Sequence, residues 1–372
     1  MYQIKTFNRI APIGLGRFDP EHYSVSEDAE NPHGIVVRSA KLLDYEFPSD
    51  LLGISRAGVG FNNIPVDRCS EAGIAVFSTP GANANAVKEL VLCAMLIASR
   101  DVDGSIRWVR EQAAAGVDVT TVVEKGKAAF VGPEIYKKTL GIIGLGAIGS
   151  LVANMAVRLG MDVYGYDPYL SVDAALQLDR HIHVVKDIED LYKRADYITI
   201  HIHFNEQTRG MIDEKAIGSM KRGVRFINLA RGEIVDDDAM LAALDTGRVS
   251  VYVTDFPNNK LLQAPHVLGM PHMGASTPES EQNCAIMAVD QLRDYLEKRQ
   301  HPQCRESPQC VSGTQRCHAY VHHPPQRTGN AGQYHLSAEH RRCQCGKPQQ
   351  QIQGRLRLHA GGSGHPGGRK GH

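Results

Sequence analysis

Gly141-Ile-Ile-Gly-Leu-Gly-Ala-Ile-Gly149 is the stretch of sequence that decides the fold. An apolar run over 139–143 predicts a strand that enters it, and a helical pattern over 147–159 follows at once. Its glycines have the G-x-G-x-x-G spacing of a dinucleotide-binding turn. We expect Gly144 to permit a tight turn and Gly146 to let the backbone approach a pyrophosphate. Gly149 is expected to let helix and strand pack closely.

The next apolar run ends in an acid, Asp167, as a dinucleotide site requires. Its carboxylate can accept hydrogen bonds from both hydroxyls of a ribose, but it would repel a 2′-phosphate. Pro168 and Tyr169 follow it, with no adjacent arginine to receive such a phosphate. The segment therefore predicts NAD rather than NADP as the cofactor.

Composition restricts the class of protein. At 372 residues and 42% hydrophobic content, the chain has room for two domains with cores of their own. Residues 1–300 hold 31 basic and 39 acidic residues, and this formal charge of −8 argues against a nucleic-acid partner. No apolar run is long enough to span a membrane, and the N-terminus lacks a signal-peptide pattern. We expect a cytoplasmic protein with a small-molecule substrate. Cys69, Cys93 and Cys284 are predicted to be reduced, buried thiols.

The pattern along the chain predicts an α/β fold with two domains. Apolar runs at 3–7, 34–38, 53–57 and 75–78 alternate with polar stretches, which is typical of a small parallel α/β unit. A long helix is expected over 85–100, capped by Asn83 or Asn85, with an apolar face. That face comprises Val87, Leu90, Val91, Ala94 and Leu96.

A doubly wound parallel sheet, the Rossmann arrangement, is predicted for the following part of the chain. Its strands are expected at 139–143, 162–166, 196–200, 224–229, 250–254 and 266–269, with helices that include 147–160 and 236–246. A last helix over 278–299 would return to the first domain. We therefore assign 1–88 and 275–300 to a smaller, flavodoxin-like substrate domain and 89–274 to the NAD-binding domain. The active site is expected in the cleft between them.

Two residues that follow predicted strands are candidates for catalysis. Arg231 can grip a substrate carboxylate with two parallel hydrogen bonds, although an ion pair with Glu233 or Asp236 is the structural alternative. His272, held between Pro271 and glycine, is a candidate general base because an imidazole titrates near working pH. His201 and His203 are its rivals, but their place at a strand end favours contact with the cofactor.

Two loops of the first domain combine a basic side chain with small residues. The first holds Arg38 and Lys41, and the second holds Arg56, Ala57 and Gly58. Exposed backbone N–H groups beside a guanidinium suit a small phosphate or carboxylate. An ordinary surface role is as well supported for Arg38 or Lys41 taken singly.

The sequence resembles the D-isomer-specific 2-hydroxyacid dehydrogenases, and among them the enzymes that act on 3-phosphoglycerate. The resemblance covers about 34–299 and lies in seven segments. They are VVRSAKLL, SRAGVGFNNIPV, STPGANANAVKELVL, KTLGIIGLGAIG, GYDPYLS, INLARGEIVDDDAMLAAL and PHMGAST. It implies NAD-linked oxidation of 3-phospho-D-glycerate to 3-phosphohydroxypyruvate, the entry step of serine biosynthesis, by a homodimer or homotetramer without a metal.

The resemblance also implies roles for individual residues. Arg231 is the catalytic arginine, His272 the acid/base, and Asp255 the acid that holds the nicotinamide carboxamide. The implied cofactor contacts are Thr79, Gly144, Gly146, Ala147, Ile148, Gly149, Asp167, Ala230, Asp255, Gly274 and Ala275. The implied substrate contacts are Arg38, Arg56, Ala57 and Gly58.

One position departs from the family's pattern. Asn259 stands where the family usually has a catalytic Glu, so that His272 lacks its usual carboxylate partner. Loss of that partner would lower the imidazole pKa and loosen its orientation. Two alternatives stay open, and the missing Glu supports only the second. One is another D-2-hydroxyacid dehydrogenase, acting on glycerate, hydroxypyruvate or lactate. The other is a non-catalytic, NAD-sensing scaffold.

The segment 301–372 differs from the rest of the chain. It holds nine of the 17 histidines and five of the eight cysteines, and it has almost no Ile, Leu, Val or Phe, so we predict disorder. Related dehydrogenases often carry a serine-binding regulatory domain of the ACT type, which this segment does not resemble. Residues 320–335 are compatible with a shifted reading frame of such a domain, which we state as a hypothesis. The alternative is a zinc site. It would use Cys304, Cys310, Cys317, His318, Cys343 and Cys345.

Overall fold

Two parallel β-sheets, each with helices on both faces, make up the part of the chain that the structure describes. A computed structural model describes residues 1–298. The predictions made for 301–372, including disorder, a shifted reading frame and a zinc site, lie outside the described residues. The two-sheet α/β architecture confirms the predicted fold class. The exact domain boundaries, after residues 88 and 274, stay predictions.

The first sheet contains five parallel strands in the spatial order β2-β1-β3-β4-β5. Its elements are β1 (Tyr2–Phe7), α1 (Pro12–Leu15), β2 (Tyr23–Ser26), β3 (Gly34–Val37), β4 (Gly53–Arg56), α2 (Val66–Glu71) and β5 (Ala75–Phe77). This strand order is that of flavodoxin-like folds. Side chains alternate between its faces: Val36 packs with the core on one side, whereas Ile35 and Val37 pack with the core on the other.

Three helices follow the first sheet: α3 (Ala84–Ser99), α4 (Val102–Ala114) and α5 (Val119–Gly126). The helix α3 packs against the second sheet and buries Val91, Ala94 and Met95. Its terminal Ser99 hydroxyl lies 2.7 Å from the hydroxyl of Tyr197, a residue of that sheet. In contrast, α4 and α5 bury no residue.

The second sheet contains seven parallel strands in the order β12-β11-β10-β9-β6-β7-β8. Its elements are β6 (Thr139–Ile143), α6 (Ala147–Arg158), β7 (Asp162–Tyr166), α7 (Val172–Leu176), β8 (Ile182–Val185), α8 (Ile188–Arg194), β9 (Tyr197–Ile200), α9 (Glu214–Ser219), β10 (Val224–Asn228), α10 (Asp237–Asp245), β11 (Val249–Thr254) and β12 (Val267–Gly269). The order reverses between β6 and β9, and open α/β sheets bind their ligands at the carboxyl ends of strands beside such a reversal. Ile143 pairs there with Ile200.

A last helix, α11 (Pro278–Lys298), packs against α1 and against strands of the first sheet. Its buried residues, among them Ala285, Ala288 and Leu292, join the core of that sheet. Gly14 of α1 sits so close that a Cβ there would lie 2.6 Å from the backbone of Ala285. The chain thus returns to the first domain, as its sequence predicted.

Several local predictions were wrong. The strands β2 and β8 and the helices α4 and α5 were not predicted, and Cys93 is exposed rather than buried. Asn83 is the residue that precedes α3, but its side chain makes no capping hydrogen bond, and the side chain of Asn85 instead contacts Glu89. Leu96 is exposed, because it lies on the side of α3 that faces away from the sheet. No helix in the described residues is long and apolar enough to cross a membrane.

Candidate active site

The glycine turn between β6 and α6 has the geometry that its sequence predicts. Gly144 has a φ of +92°, a backbone conformation that residues with a Cβ rarely adopt. A Cβ at this position would also lie 2.5 Å from the carbonyl oxygen of His201. A Cβ on Gly149 would lie 1.9 Å from the carbonyl oxygen of Gly144. Gly146, in contrast, meets nothing within 4 Å, so open space lies before the α6 N-terminus. The first N–H groups of α6, from Ala147 to Gly149, have no partner within the helix and are available to an anion.

The carboxylate of Asp167 is fastened to this turn. Its Oδ2 accepts a hydrogen bond of 2.9 Å from the backbone N–H of Leu145, and its Oδ1 accepts one from Tyr169. Each oxygen retains a lone pair for a ribose hydroxyl. No cation in residues 1–298 forms an ion pair with Asp167, so its negative charge remains to oppose a 2′-phosphate.

Two buried side chains at the other end of the cleft lack hydrogen-bond partners within the described residues. They are Thr79, which is fully buried, and Asp255, which is 2% exposed. Buried polar atoms are rarely left unpaired, so both point to a ligand that the chain alone does not supply. Burial raises the pKa of Asp255 to about 6. The backbone N–H groups of Asp255 and Gly274, which lie near the carboxylate without making a hydrogen bond of good geometry, and the charge of Arg231 oppose that shift.

These side chains fit a nicotinamide. Its carboxamide N–H groups suit the carboxylate oxygens of Asp255, and the hydroxyl of Thr79 can donate or accept. Gly274 lies beside the acid, since a Cβ there would be 3.7 Å from Oδ2 of Asp255. Ala230 and Ala275 are both partly buried. The free N–H groups at the glycine turn, the acid Asp167 and these orphaned oxygens together form a set of groups suited to NAD.

Arg231 is positioned by a buried asparagine at the end of β10. The side chain of Asn228 donates to the carbonyl oxygen of Arg231, at 2.8 Å, and accepts from the N–H of Ala230. The guanidinium of Arg231 donates to the carbonyl oxygen of Ala230. The alternative ion pair with Glu233 or Asp236 is not among the ion pairs of the described residues.

His272 follows β12 and faces an aromatic ring. The centroid of its imidazole lies 4.5 Å from that of Phe256. Partial burial lowers the pKa of His272, and the charge of Arg231 lowers it further. Asn259 is exposed, and none of the hydrogen bonds or ion pairs in residues 1–298 joins His272 to a carboxylate.

A second arginine approaches Arg231. A Cβ on Gly60 would lie 2.8 Å from Nη1 of Arg56 and 3.8 Å from Nη2 of Arg231, so both guanidinium groups reach the same point. Burial lowers the pKa of Arg56, and the charge of Arg231 adds to the effect. Neither arginine forms an ion pair with a carboxylate of the described chain. The two cations therefore form a pocket edge that attracts an anion.

The loops around Arg56 are joined by backbone contacts. Arg56 Nε donates to the carbonyl oxygen of Arg38, at 3.0 Å, and Gly58 accepts from the N–H of Thr79. Ala57 is buried, and its N–H donates to the last residue of β3. The guanidinium of Arg38, however, pairs with Glu281 of α11. The structure thus brings the four predicted substrate residues together, with one of them already bound to a carboxylate.

The rival histidines have other surroundings. Burial lowers the pKa of His201 to about 3, and its Nε2 lies 3.0 Å from the hydroxyl of Thr199. Its carbonyl oxygen faces Gly144, as described above, so this residue belongs to the wall of the glycine turn. His203 is exposed.

Sequence reasoning missed two residues of the site, Asn228 and Phe256. Asn228 had a usable signal, because an amide at the end of a buried strand commonly organises the turn that follows. Phe256 had none, since its contacts with Arg231 and His272 join three separate segments of the chain.

Comparison with known proteins identifies the family of this chain. Residues 92–274 match the family described as D-isomer specific 2-hydroxyacid dehydrogenase, NAD binding domain. A hydroxypyruvate reductase of Thermotoga maritima is 34% identical over 273 residues, which are 69% of this chain and 83% of that protein. The chain therefore belongs to the D-isomer-specific 2-hydroxyacid dehydrogenase family. The match to its NAD-binding domain supports NAD as the cofactor.

Within that family, the chain is similar to D-3-phosphoglycerate dehydrogenases. The protein of that name from Methanocaldococcus jannaschii is 36% identical over 271 residues, which are 70% of this chain and 49% of the relative. The chain thus spans about half the length of the phosphoglycerate dehydrogenases that it matches. The solved structure of a D-2-hydroxyisocaproate dehydrogenase is 23% identical, with a TM-score of 0.64 over 81% of this chain and 98% of the other. That likeness establishes the fold.

The carboxylate of Asp167 is expected to set the preference for NAD over NADP. Asp167→Ala should weaken NAD binding by about 10-fold, because a hydrogen bond to a charged group is lost, and should narrow the preference over NADP. Isothermal titration calorimetry with each dinucleotide measures both effects. Asp167→Asn, which can still accept from Leu145, separates loss of charge from loss of the turn contact. Asp162→Ala, at the exposed acid that begins β7, the strand directly before Asp167, is the control. Equal affinity of the unmodified protein for NADP would contradict the assignment.

The surroundings of His272 predict the pH dependence of oxidation. Alcohol oxidation needs the neutral imidazole, so kcat/KM falls as the pH drops through the pKa of His272. Because burial and Arg231 lower that pKa, we expect the acid limb below the usual imidazole value of about 6.5. Profiles of kcat/KM against pH, recorded at saturating NAD, measure the position of this acid limb. Asp255 also titrates in this range, and the variant Asp255→Asn identifies its contribution.

The variant Asn259→Glu tests the same prediction, because it should raise the pKa of His272 instead of lowering it. The resemblance implies that a carboxylate at this position reaches the imidazole of His272. Such a carboxylate favours the imidazolium, so the acid limb should move to higher pH. An acid limb at or above pH 7 in the unmodified enzyme would contradict the prediction.

Proposed function

We propose that this protein catalyses the NAD-dependent oxidation of a D-2-hydroxy acid, with 3-phospho-D-glycerate as substrate and 3-phosphohydroxypyruvate as product. The supporting observation is the approach of Arg56 and Arg231 to one point beside Gly60, with no carboxylate of the described residues paired to either. Two unpaired cations suit a substrate with two anionic groups. The reaction would begin serine biosynthesis.

The chain's own residues supply binding and proton transfer. Arg231 holds the substrate carboxylate and polarises the oxygen at C2, while His272 accepts the proton of the C2 hydroxyl. NAD, when bound, accepts the hydride from C2. Arg56 and the neighbouring N–H groups hold the second anionic group, and the cleft keeps the reacting groups oriented and excludes water. In the reverse direction, the imidazolium of His272 returns the proton to the carbonyl oxygen.

A second candidate is the reduction of hydroxypyruvate. Arg38, which would otherwise add a third cation for a phosphate, is paired with Glu281, and a similar relative carries the name hydroxypyruvate reductase. A third candidate, of another class, is an NAD-sensing scaffold without catalysis. Its support is that no hydrogen bond or ion pair within residues 1–298 joins His272 to a carboxylate.

A substrate panel distinguishes these candidates. We expect kcat/KM with NAD to be highest for 3-phosphoglycerate, compared with glycerate and lactate, and with hydroxypyruvate in the reverse direction. Arg56→Met should raise KM for the phosphorylated substrate more than for glycerate, whereas Arg222→Met, at an exposed arginine, should change neither. His272→Ala should lower kcat by about 10²-fold, as loss of a general base does. Equal kcat/KM for glycerate would favour the second candidate, and NAD binding without turnover would favour the scaffold.

We also propose a homodimer or homotetramer, because one part of the structure lacks a core of its own. The segment from α4 through the short helix Lys127–Phe130 buries no residue. It encloses a groove of about 580 Å³. The groove is lined by Ser105, Ile106, Trp108, Val109, Arg110, Val123, Lys127 and Phe130. Helices this short are marginally stable unless an apolar face is packed, and a second copy would cover both grooves by twofold symmetry.

The oligomer proposal is tested by a charge placed in the groove. Ile106 is 48% exposed, and Ile106→Glu should convert the assembly into monomers, because the carboxylate cannot be buried unpaired. Ile13→Glu, at an isoleucine of α1 that is 54% exposed, is the matched control and should leave the mass unchanged. Light scattering after gel filtration measures the masses. A monomeric parent protein at micromolar concentration would contradict the proposal.

A location in the cytoplasm is part of the same proposal. Cys69, Cys93 and Cys284 are free thiols. Free cysteines are typical of proteins that work in a reducing compartment.

A further inference from the structure

Phe256 is the residue that contacts both candidate catalytic groups. Its ring centroid lies 5.5 Å from Cζ of Arg231 and 4.5 Å from the centroid of the His272 imidazole. The first distance is that of a cation–π contact, and the second is that of an aromatic pair tilted by 43°. Neither contact belongs to the regular packing of the sheet, because Phe256 lies beyond the end of β11.

The backbone around Phe256 is held in place from several sides. Its N–H donates to the hydroxyl of the buried Thr254, at 3.0 Å. Pro257 follows and packs closely against β12. A Cβ added to Gly269 would lie 2.8 Å from the Cβ of Pro257. A Cβ added to Gly232, the residue after Arg231, would lie 3.4 Å from the Cβ of Phe256. These contacts fix the backbone and the Cβ of Phe256, from which its ring extends toward Arg231 and His272.

His272 needs such support because the described residues offer it no carboxylate. A general base must keep one orientation toward the substrate hydroxyl, and a hydrogen-bonded acid normally provides that restraint. Once His272 holds a proton, it also carries a positive charge near the guanidinium of Arg231. The face of an aromatic ring attracts a cation, so a ring placed beside both groups counters their mutual repulsion.

We propose that Phe256 is the positioning residue of this site: its ring orients the His272 imidazole and the Arg231 guanidinium, and it favours the imidazolium that forms on proton transfer. The proposal rests on the proposed function, in which His272 is the base. It assigns to an aromatic ring the orienting task that a carboxylate performs elsewhere in the family.

Substitutions that distinguish the effect of the aromatic ring from the effect of side-chain volume test the proposal. Phe256→Leu keeps an apolar side chain and removes the π face, and we expect it to lower kcat by about 10-fold to 100-fold with little change in KM or in NAD affinity. Phe256→Tyr keeps the ring and should restore most of kcat. The control is Phe47→Leu, which removes a ring that lies 5.1 Å from the guanidinium of Arg68, away from the site. The substrate is whichever 2-hydroxy acid the unmodified enzyme oxidises.

A measurement on the imidazole itself does not depend on turnover. In NMR spectra of the unmodified protein, the His272 ring protons, assigned by their absence in His272→Gln, should show a ring-current shift from Phe256. Phe256→Leu should abolish that shift and move the His272 titration to lower pH, because the imidazolium loses the π face. Phe256→Tyr should preserve both. If the proposed reaction is wrong, the substrate panel shows no oxidation of 3-phosphoglycerate, whereas these NMR effects remain.

The proposal is overturned by any of four results. These are a kcat within about 2-fold of the parent for Phe256→Leu, equal loss in Phe256→Tyr and Phe256→Leu, equal loss in the Phe47→Leu control, or no ring-current shift at His272. If Phe256→Leu does not fold, Phe256→Met supplies the same comparison, and the ring-current measurement on the unmodified protein still decides.

Discussion

The close approach of Gly149 to the carbonyl oxygen of Gly144 is the contact on which the cofactor end of the site depends. With a Cβ position only 1.9 Å from that oxygen, any side chain at Gly149 would push α6 away from the turn that precedes it. The contact directs the N-terminus of α6 across the carboxyl ends of the strands. Leu145, between the two glycines, can then bind Asp167, which links the end of β7 to the turn. The groups proposed to bind phosphate and ribose are thus held by one short segment.

The opposite end of the site is organised by charge. Asp255 is an almost completely buried acid, while Arg56 and Arg231 are cations without an ion-pair partner in the described residues. A carboxamide is drawn to the acid, and an anionic substrate is drawn to the arginines. In the proposed function, this separation of charge would place the carboxamide and the anionic substrate at different groups of the site. The turn built by Asn228 matters here, because it fixes where the Arg231 side chain begins.

The sequence predicted the strands of the second sheet best where an apolar stretch is bounded by turn residues. The bounds of β6, β7, β9, β10, β11 and β12 agree with prediction within one residue, although β7 and β12 are only partly buried. The edge strands β2 and β8 were missed because they are short and half-exposed, so they have no such run. The helices α4 and α5 were missed because they bury nothing within this chain. The sequence offered Arg231 and His272 as candidates because each follows a predicted strand, whereas the contacts of Phe256 with both residues join separate segments and have no signal in the sequence.

The charge of Arg231 couples substrate binding to the strength of the base. In the free site, that charge lowers the pKa of His272, and no carboxylate of the described chain opposes it. A substrate carboxylate that binds Arg231 neutralises most of the charge, so the imidazole becomes a stronger proton acceptor when a substrate is in place. A permanent carboxylate partner would strengthen the base in the free site as well. Without such a partner among the described residues, the proton affinity of His272 would depend on whether an anion occupies Arg231.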